Sequence, residues 1–125
     1  MQDKSILLID DERHMLKLLE FNLRKTGASL LQATSAEQAL RTLESSPVDL
    51  VVTDYMLEGQ SGLDLVRAMR VSAVLHGIPV ILLTARGQME IREEAEGLGI
   101  HAFLNKPFSP AELVAQARAA LGLAG

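Results

Sequence analysis

Four apolar runs in this chain stop abruptly at polar residues, and that pattern leaves few folds open. Ile6-Leu7-Leu8-Ile9 stops at Asp10-Asp11, Leu50-Val51-Val52-Thr53 at Asp54, Pro79-Val80-Ile81-Leu82-Leu83 at Thr84, and a short run over 101–104 at Asn105-Lys106. Apolar runs of this length read as strands buried on both faces, and such strands belong to parallel sheets covered by helices. Residues 29–33, SLLQA, fit one more strand.

Helical spacing fills the gaps. Residues 13–26 set Met15, Leu18, Leu19 and Leu23 on one side, with Gly27 as the stop. Ser35 with Gln38 has capping-box spacing, ahead of an apolar face of Ala36, Ala39, Leu40 and Leu43. A loop is predicted over 55–61. Ser61 with Asp64 then repeats the cap pattern and opens a helix with Leu63, Val66 and Met69 inward. A fourth helix is predicted over 88–97, stopping near Gly97 or Gly99. Ser109-Pro110-Ala111-Glu112 combines an N-cap, Pro at the first helical position and Glu at the third, and Gly122 ends that last helix. Strand and helix alternate five times in 125 residues. The prediction is α/β: a doubly wound five-stranded parallel sheet of flavodoxin-like order 2-1-3-4-5, with helices on both faces. A Rossmann order calls for a sixth strand and a longer chain. Residues 1–125 are read as one domain, either the whole protein or the N-terminal part of a longer one.

Composition narrows the function. Aromatic residues are 3% of the chain, too few for a base-stacking platform, and the net charge of −4 argues against direct contact with a nucleic-acid backbone. The absence of Cys excludes disulfides, thiolate metal sites and thiol nucleophiles. No apolar run approaches the ~20 residues of a membrane span, and none has the form of a signal-peptide core. The expectation is a soluble, cytoplasmic protein with no membrane contact.

In a sheet of this order, sites form at the carboxyl ends of the strands where the order reverses. Strands 1, 3, 4 and 5 are contiguous there, so Asp10, Asp11, Asp54, Thr84 and Lys106 can converge. Clustered carboxylates repel unless a cation joins them, and Mg²⁺ (or Mn²⁺) suits oxygen ligands of this kind. Lys106 adds a positive point charge and Thr84 a hydroxyl donor. Such a set can hold a phosphoryl group, with a carboxylate as nucleophile. The sequence has no Gly-rich phosphate cradle, so a nucleotide is not indicated. Gly97-Leu98-Gly99-Ile100-His101-Ala102 matches a dinucleotide fingerprint in letters alone, because it ends a helix and precedes a strand.

At these residues the sequence resembles the receiver domain of bacterial two-component response regulators. LLIDDE (7–12), VDLVVTDYMLEGQSGLDL (48–65), PVILLTA (79–85) and FLNKPFSPAEL (103–113) carry the likeness across nearly the whole chain. The resemblance implies that Asp54 is the phosphoacceptor. It implies a metal held by Asp11, Asp54, the Met56 carbonyl and, largely through water, Asp10. Thr84 and Lys106 would contact the phosphoryl group, Phe103 would be the aromatic switch residue, and Lys106-Pro107 would be a cis peptide. The implied partners are a sensor histidine kinase or a histidine phosphotransfer protein, with an output not named by the sequence. The implied role is a switch that catalyses only its own phosphorylation and slow dephosphorylation. Two positions depart from the family: Glu58 stands in place of a common Pro, and Ser61 in place of a common Asp. Residues 99–102 also lack the acidic pair of the subfamily that dimerises through its fourth and fifth helices, which argues against that dimer.

Two further expectations concern neighbours of the site. Met15 and Leu18 with Pro107 and Phe108 would form an apolar rim where a kinase or phosphotransfer helix docks. Met56 and Arg86, each two residues past Asp54 and Thr84, would flank the path of an attacking water and lengthen the life of the phosphoryl group. Two other functions fit the same fold. An aspartyl-phosphate phosphatase would need an acid where Met56 stands, and a flavodoxin-like cofactor binder would meet repulsion from Asp10-Asp11.

Overall fold

Each apolar run becomes a strand, and the polar residues that close the runs line one edge of the sheet. The computed structural model describes residues 3–85 and 88–123. The strands are β1 (Ser5–Ile9), β2 (Ser29–Ala33), β3 (Leu50–Asp54), β4 (Val80–Thr84) and β5 (Ala102–Asn105). The helices are α1 (Arg13–Leu23), α2 (Ala36–Ser45), α3 (Gly62–Arg70), α4 (Gln88–Glu94) and α5 (Pro110–Leu121). With a small side hairpin left unnumbered, the sheet is five-stranded and runs β2-β1-β3-β4-β5. All its pairings are parallel. This is the expected flavodoxin-like order.

Period-two alternation sends side chains of one strand to two layers. Leu7, Ile9, Val51 and Val80 pack with Ala36, Ala39 and Leu43 of α2 and with Leu65, Val66 and Met69 of α3. Ile6, Leu8, Leu50, Val52, Ile81 and Leu83 pack with Leu16, Leu19 and Leu23 of α1 and with Leu113, Ala117 and Leu121 of α5. A third, smaller cluster of Leu63, Leu82, Ile91 and Ala95 lies at the α4 corner. Among the described residues, no helix is long and apolar enough to cross a membrane.

Four local expectations are corrected. In α1 the expected Leu19 and Leu23 are buried and Met15 packs half-buried against the same layer, but Leu16 joins them and Leu18 is 46% exposed. The i, i+3, i+7 row begins one residue later than Met15, and the helix gives way at Leu23 to a single 3₁₀ turn over Arg24–Thr26, closed by Gly27 at φ 80°. Residues 56–57 and 60–61 are not plain loop; they pair antiparallel across a Glu58-Gly59 turn, with Gly59 at φ 80°. Helix α4 stops at Glu94 rather than 97, and both Gly97 and Gly99 have positive φ in the turn that follows. At α2, Ser35 Oγ accepts from the Gln38 N–H as expected, but the Gln38 side chain reaches one residue further back, to the Thr34 N–H at 2.7 Å. The caps at Ser61 and Ser109 behave as read. Ser61 and Asp64 bond reciprocally, and Ser109 accepts from the Glu112 N–H.

Candidate functional site

The site grows from the ends of β1 and β3. Parallel register sets Ile9 beside Thr53, so the residues that follow, Asp10-Asp11 and Asp54, leave the sheet together. Carboxylate oxygens of Asp10, Asp11 and Asp54 lie within 4.8 Å of one another. Asp10 is buried, its Oδ1 accepting from the Glu12 N–H at 2.9 Å. Asp54 is 8% exposed, and its Oδ1 faces the Met56 N–H at 3.4 Å. Asp11 is exposed, and its Oδ2 accepts from the Glu58 N–H at 3.1 Å.

Lys106 arrives from the end of β5. Its Nζ lies 3.1 Å from Asp10 Oδ2 and 3.1 Å from Asp54 Oδ2, so one ammonium bridges two of the three acids. The Lys106 N–H donates to the Thr84 carbonyl at 2.7 Å, and the Lys106–Pro107 peptide is cis. Thr84 is buried at the end of β4, with its hydroxyl 3.4 Å from Asn105 Oδ1.

The electrostatics follow from this packing. Burial pushes the Asp54 carboxyl above its ordinary range; Lys106 and the Met56 N–H pull it back, and Asp10 adds to the rise. Burial acts to lower Lys106, but Asp10 and Asp54 outweigh it and hold the ammonium above its usual range. One ammonium among three carboxylates leaves the edge negative. Oxygen donors at this spacing, with one of them exposed, fit a hard divalent cation.

The remaining expected residues fall around this centre. Met56 is 65% exposed on the side hairpin beside Asp54. Phe103 is half-buried on β5, with the Arg92 guanidinium 4.7 Å above its ring. Met15 and Phe108 are half-buried against the α1–α5 layer, while Leu18 and Pro107 are exposed beside them. Arg86 lies outside the described residues.

Several contributors carried little sequence signal. Gly62 opens α3 so close to β3 that a Cβ there would overlap the Asp54 carbonyl oxygen, a constraint visible only once strand and helix meet. Glu58 offers Asp11 a backbone N–H that a proline at that position would lack. Asn105 is the partner of the Thr84 hydroxyl, and the Tyr55 hydroxyl reaches Glu94 of α4; neither stood out as a letter in the chain.

A doubly wound sheet with three acids and a lysine at its carboxyl edge defines a flavodoxin-like domain with an acidic cluster able to hold a metal ion. The chain belongs to the response regulator receiver domain family, whose model matches residues 6–118. It is therefore a signal-transduction module of two-component systems, and a regulatory domain. It is 34% identical over 125 residues to the phosphate regulon transcriptional regulatory protein PhoB of Pseudomonas aeruginosa, covering 100% of this chain and 55% of that protein. It is 41% identical over 116 residues to the transcriptional regulatory protein CpxR of Escherichia coli K12, covering 93% of this chain and 48% of that protein. The chain spans about half the length of the curated relatives it matches. A response regulator receiver domain protein from Clostridium thermocellum superposes with a TM-score of 0.84 at 30% identity, covering 95% of this chain and 94% of the other.

Proposed function

We propose that the domain is a phosphorylation-operated switch whose acceptor is Asp54. The observation that carries this reading is the Lys106 ammonium placed 3.1 Å from both Asp10 and Asp54. It positions a cation beside a carboxylate that burial has made costly to leave charged. The donor is a phosphohistidine of a sensor kinase or of a phosphotransfer protein. An Asp54 oxygen forms the new O–P bond, the P–N bond breaks, and the leaving imidazole takes up a proton from solvent. Mg²⁺ (or Mn²⁺) held by Asp10, Asp11, Asp54 and the Met56 carbonyl would neutralise the charge of the transferred group. Thr84 and Lys106 bind its oxygens.

The transferred group brings about −1.5 to −2 of charge and new acceptor oxygens. Thr84 moves toward it, and Phe103, half-buried beside the space so vacated, turns inward. The change then reaches a partner through the β4-α4-β5-α5 surface. Met15 and Leu18 with Pro107 and Phe108 form the rim on which the donor protein docks, and Met56 and Arg86 shield the phosphoryl group from water. An output domain or a downstream protein reads the change inside the cell. The phosphatase alternative loses ground because the residue two past Asp54 is an exposed methionine with no acid function.

Acetyl phosphate with Mg²⁺ tests the central step. Mass spectrometry should show one added phosphoryl group on the wild type and none on Asp54→Asn. Equal labelling of the two proteins overturns the assignment.

A further inference from the structure

Helix α4 is moored mainly by the tips of its side chains. Among its described side chains only Ile91 is buried, with Ala95 just past its end. The other moorings are polar, and one of them leads straight to the acceptor. Tyr55, the residue after Asp54, is pinned through its backbone: its N–H donates to the Leu83 carbonyl at 2.8 Å, and its carbonyl accepts from the Gly62 N–H at 2.6 Å. Its ring packs against the small cluster of Leu63, Leu82, Ile91 and Ala95. Its hydroxyl donates to Glu94 Oε1, at the last residue of α4, at 2.8 Å. The other Glu94 oxygen lies 3.6 Å from Arg67 of α3, and Arg67 is itself held by Asp64 at 2.9 Å. Asp64 closes the capping box of α3. A continuous chain of contacts thus joins the end of α4 to the residue beside the acceptor and to the start of α3.

We propose that the Tyr55–Glu94 contact, braced by Arg67, is a latch that holds α4 in the position seen here and sets how readily the domain passes to its phosphorylated form. The proposal rests on the reading of Asp54 as phosphoacceptor. Physically, Tyr55 cannot shift its ring without disturbing both the Glu94 carboxylate and the apolar seat of Ile91. A phosphoryl group at Asp54 acts one residue away, on a backbone tied at both its N–H and its carbonyl. The latch favours the unphosphorylated arrangement, so it lowers the apparent affinity of any phosphoryl mimic by the fraction of molecules in the competent state. The contact is half-exposed, so its effect is a bias between two arrangements and not a condition for folding.

Beryllofluoride with Mg²⁺ is the probe, read beside hydrogen exchange of residues 89–95. Tyr55→Phe keeps the ring and removes the donor; Glu94→Ala removes the acceptor, and with it the contacts to both Tyr55 and Arg67. Each should bind beryllofluoride about fivefold more tightly than wild type and exchange α4 amides faster. The double variant should bind no more tightly than the stronger single variant, because both remove the same contact. Glu93→Ala, on an exposed neighbour, should match wild type. Faster exchange with unchanged affinity would make the contact a tether without control over the switch and would overturn the proposal. Additive gains in the double variant would overturn it as well. Failure of the wild type to bind beryllofluoride would overturn the phosphoacceptor reading and the latch with it, so the two failures are read from different proteins.

Discussion

The layer under α1 and α5 and the corner under α4 use similar residues but are held in different ways. Helix α1 contributes Leu16, Leu19 and Leu23, and α5 contributes Leu113, Ala117 and Leu121, all seated on Ile6, Leu8, Ile81 and Leu83. Among its described side chains, helix α4 brings Ile91 to the smaller cluster and otherwise relies on the Tyr55–Glu94 bond, the Arg67–Glu94 pair and Arg92 above Phe103. Buried aliphatic contacts have no substitute in water, so losing one costs its full value. Half-exposed polar contacts exchange for water at little cost. The acidic edge therefore sits between a fixed wall and a lightly moored one. Local opening at low free energy is what a moving element needs, and α4 is where the packing permits it.

Leu19→Ala gives the largest effect expected from this contrast. Leu19 is fully buried between α1 and the sheet, so its truncation should cost about 3 kcal/mol in urea unfolding. A loss under about 1 kcal/mol would mean that this layer is no firmer than the α4 corner.

Under the proposed reading, Mg²⁺ would bind at the acidic edge between the two regions. At a hundred times its Kd it should raise stability by about 2.7 kcal/mol, read as a shift in Tm. Asp11→Ala should remove most of that rise, and the metal-free variant should melt no lower than wild type, because repulsion among the acids is relieved. An undiminished rise would place the cation elsewhere.

Ile91→Ala should cost about 2 kcal/mol overall, less than Leu19→Ala, because its cluster is smaller and leaves it slightly exposed. Its sharper signature is local: faster hydrogen exchange confined to α4 and the following turn. Exchange that quickened equally in α1 and α5 would erase the distinction between the two regions.

Leu18→Glu is the smallest in stability and tests the surface of the firm side. Leu18 is 46% exposed, so stability should stay within about 0.5 kcal/mol of wild type. Phosphoryl transfer from a histidine-phosphorylated protein should slow several-fold, while labelling by acetyl phosphate stays intact. Equal slowing with both donors would remove the docking rim.

The five strands of the main sheet, their order and the edge residues follow from the amino-acid sequence. Apolar runs closed by Asp10-Asp11, Asp54 and Thr84, with Lys106 just past the last, admit a doubly wound sheet whose carboxyl edge is acidic. Those features are legible because they rest on local periodicity and on one residue per strand. Packing settles which apolar residues of α1 turn inward: Leu16 and Leu18 lie in the same turn, and the seat beside α5 buries the first and leaves the second exposed. It also decided the partners: Glu58 to Asp11, Thr84 to Asn105, Gly62 against the Asp54 carbonyl, and Tyr55 to Glu94 across 39 residues of chain. Contacts between residues that distant in the chain depend on how helices settle on the sheet, and no local spacing encodes that distance.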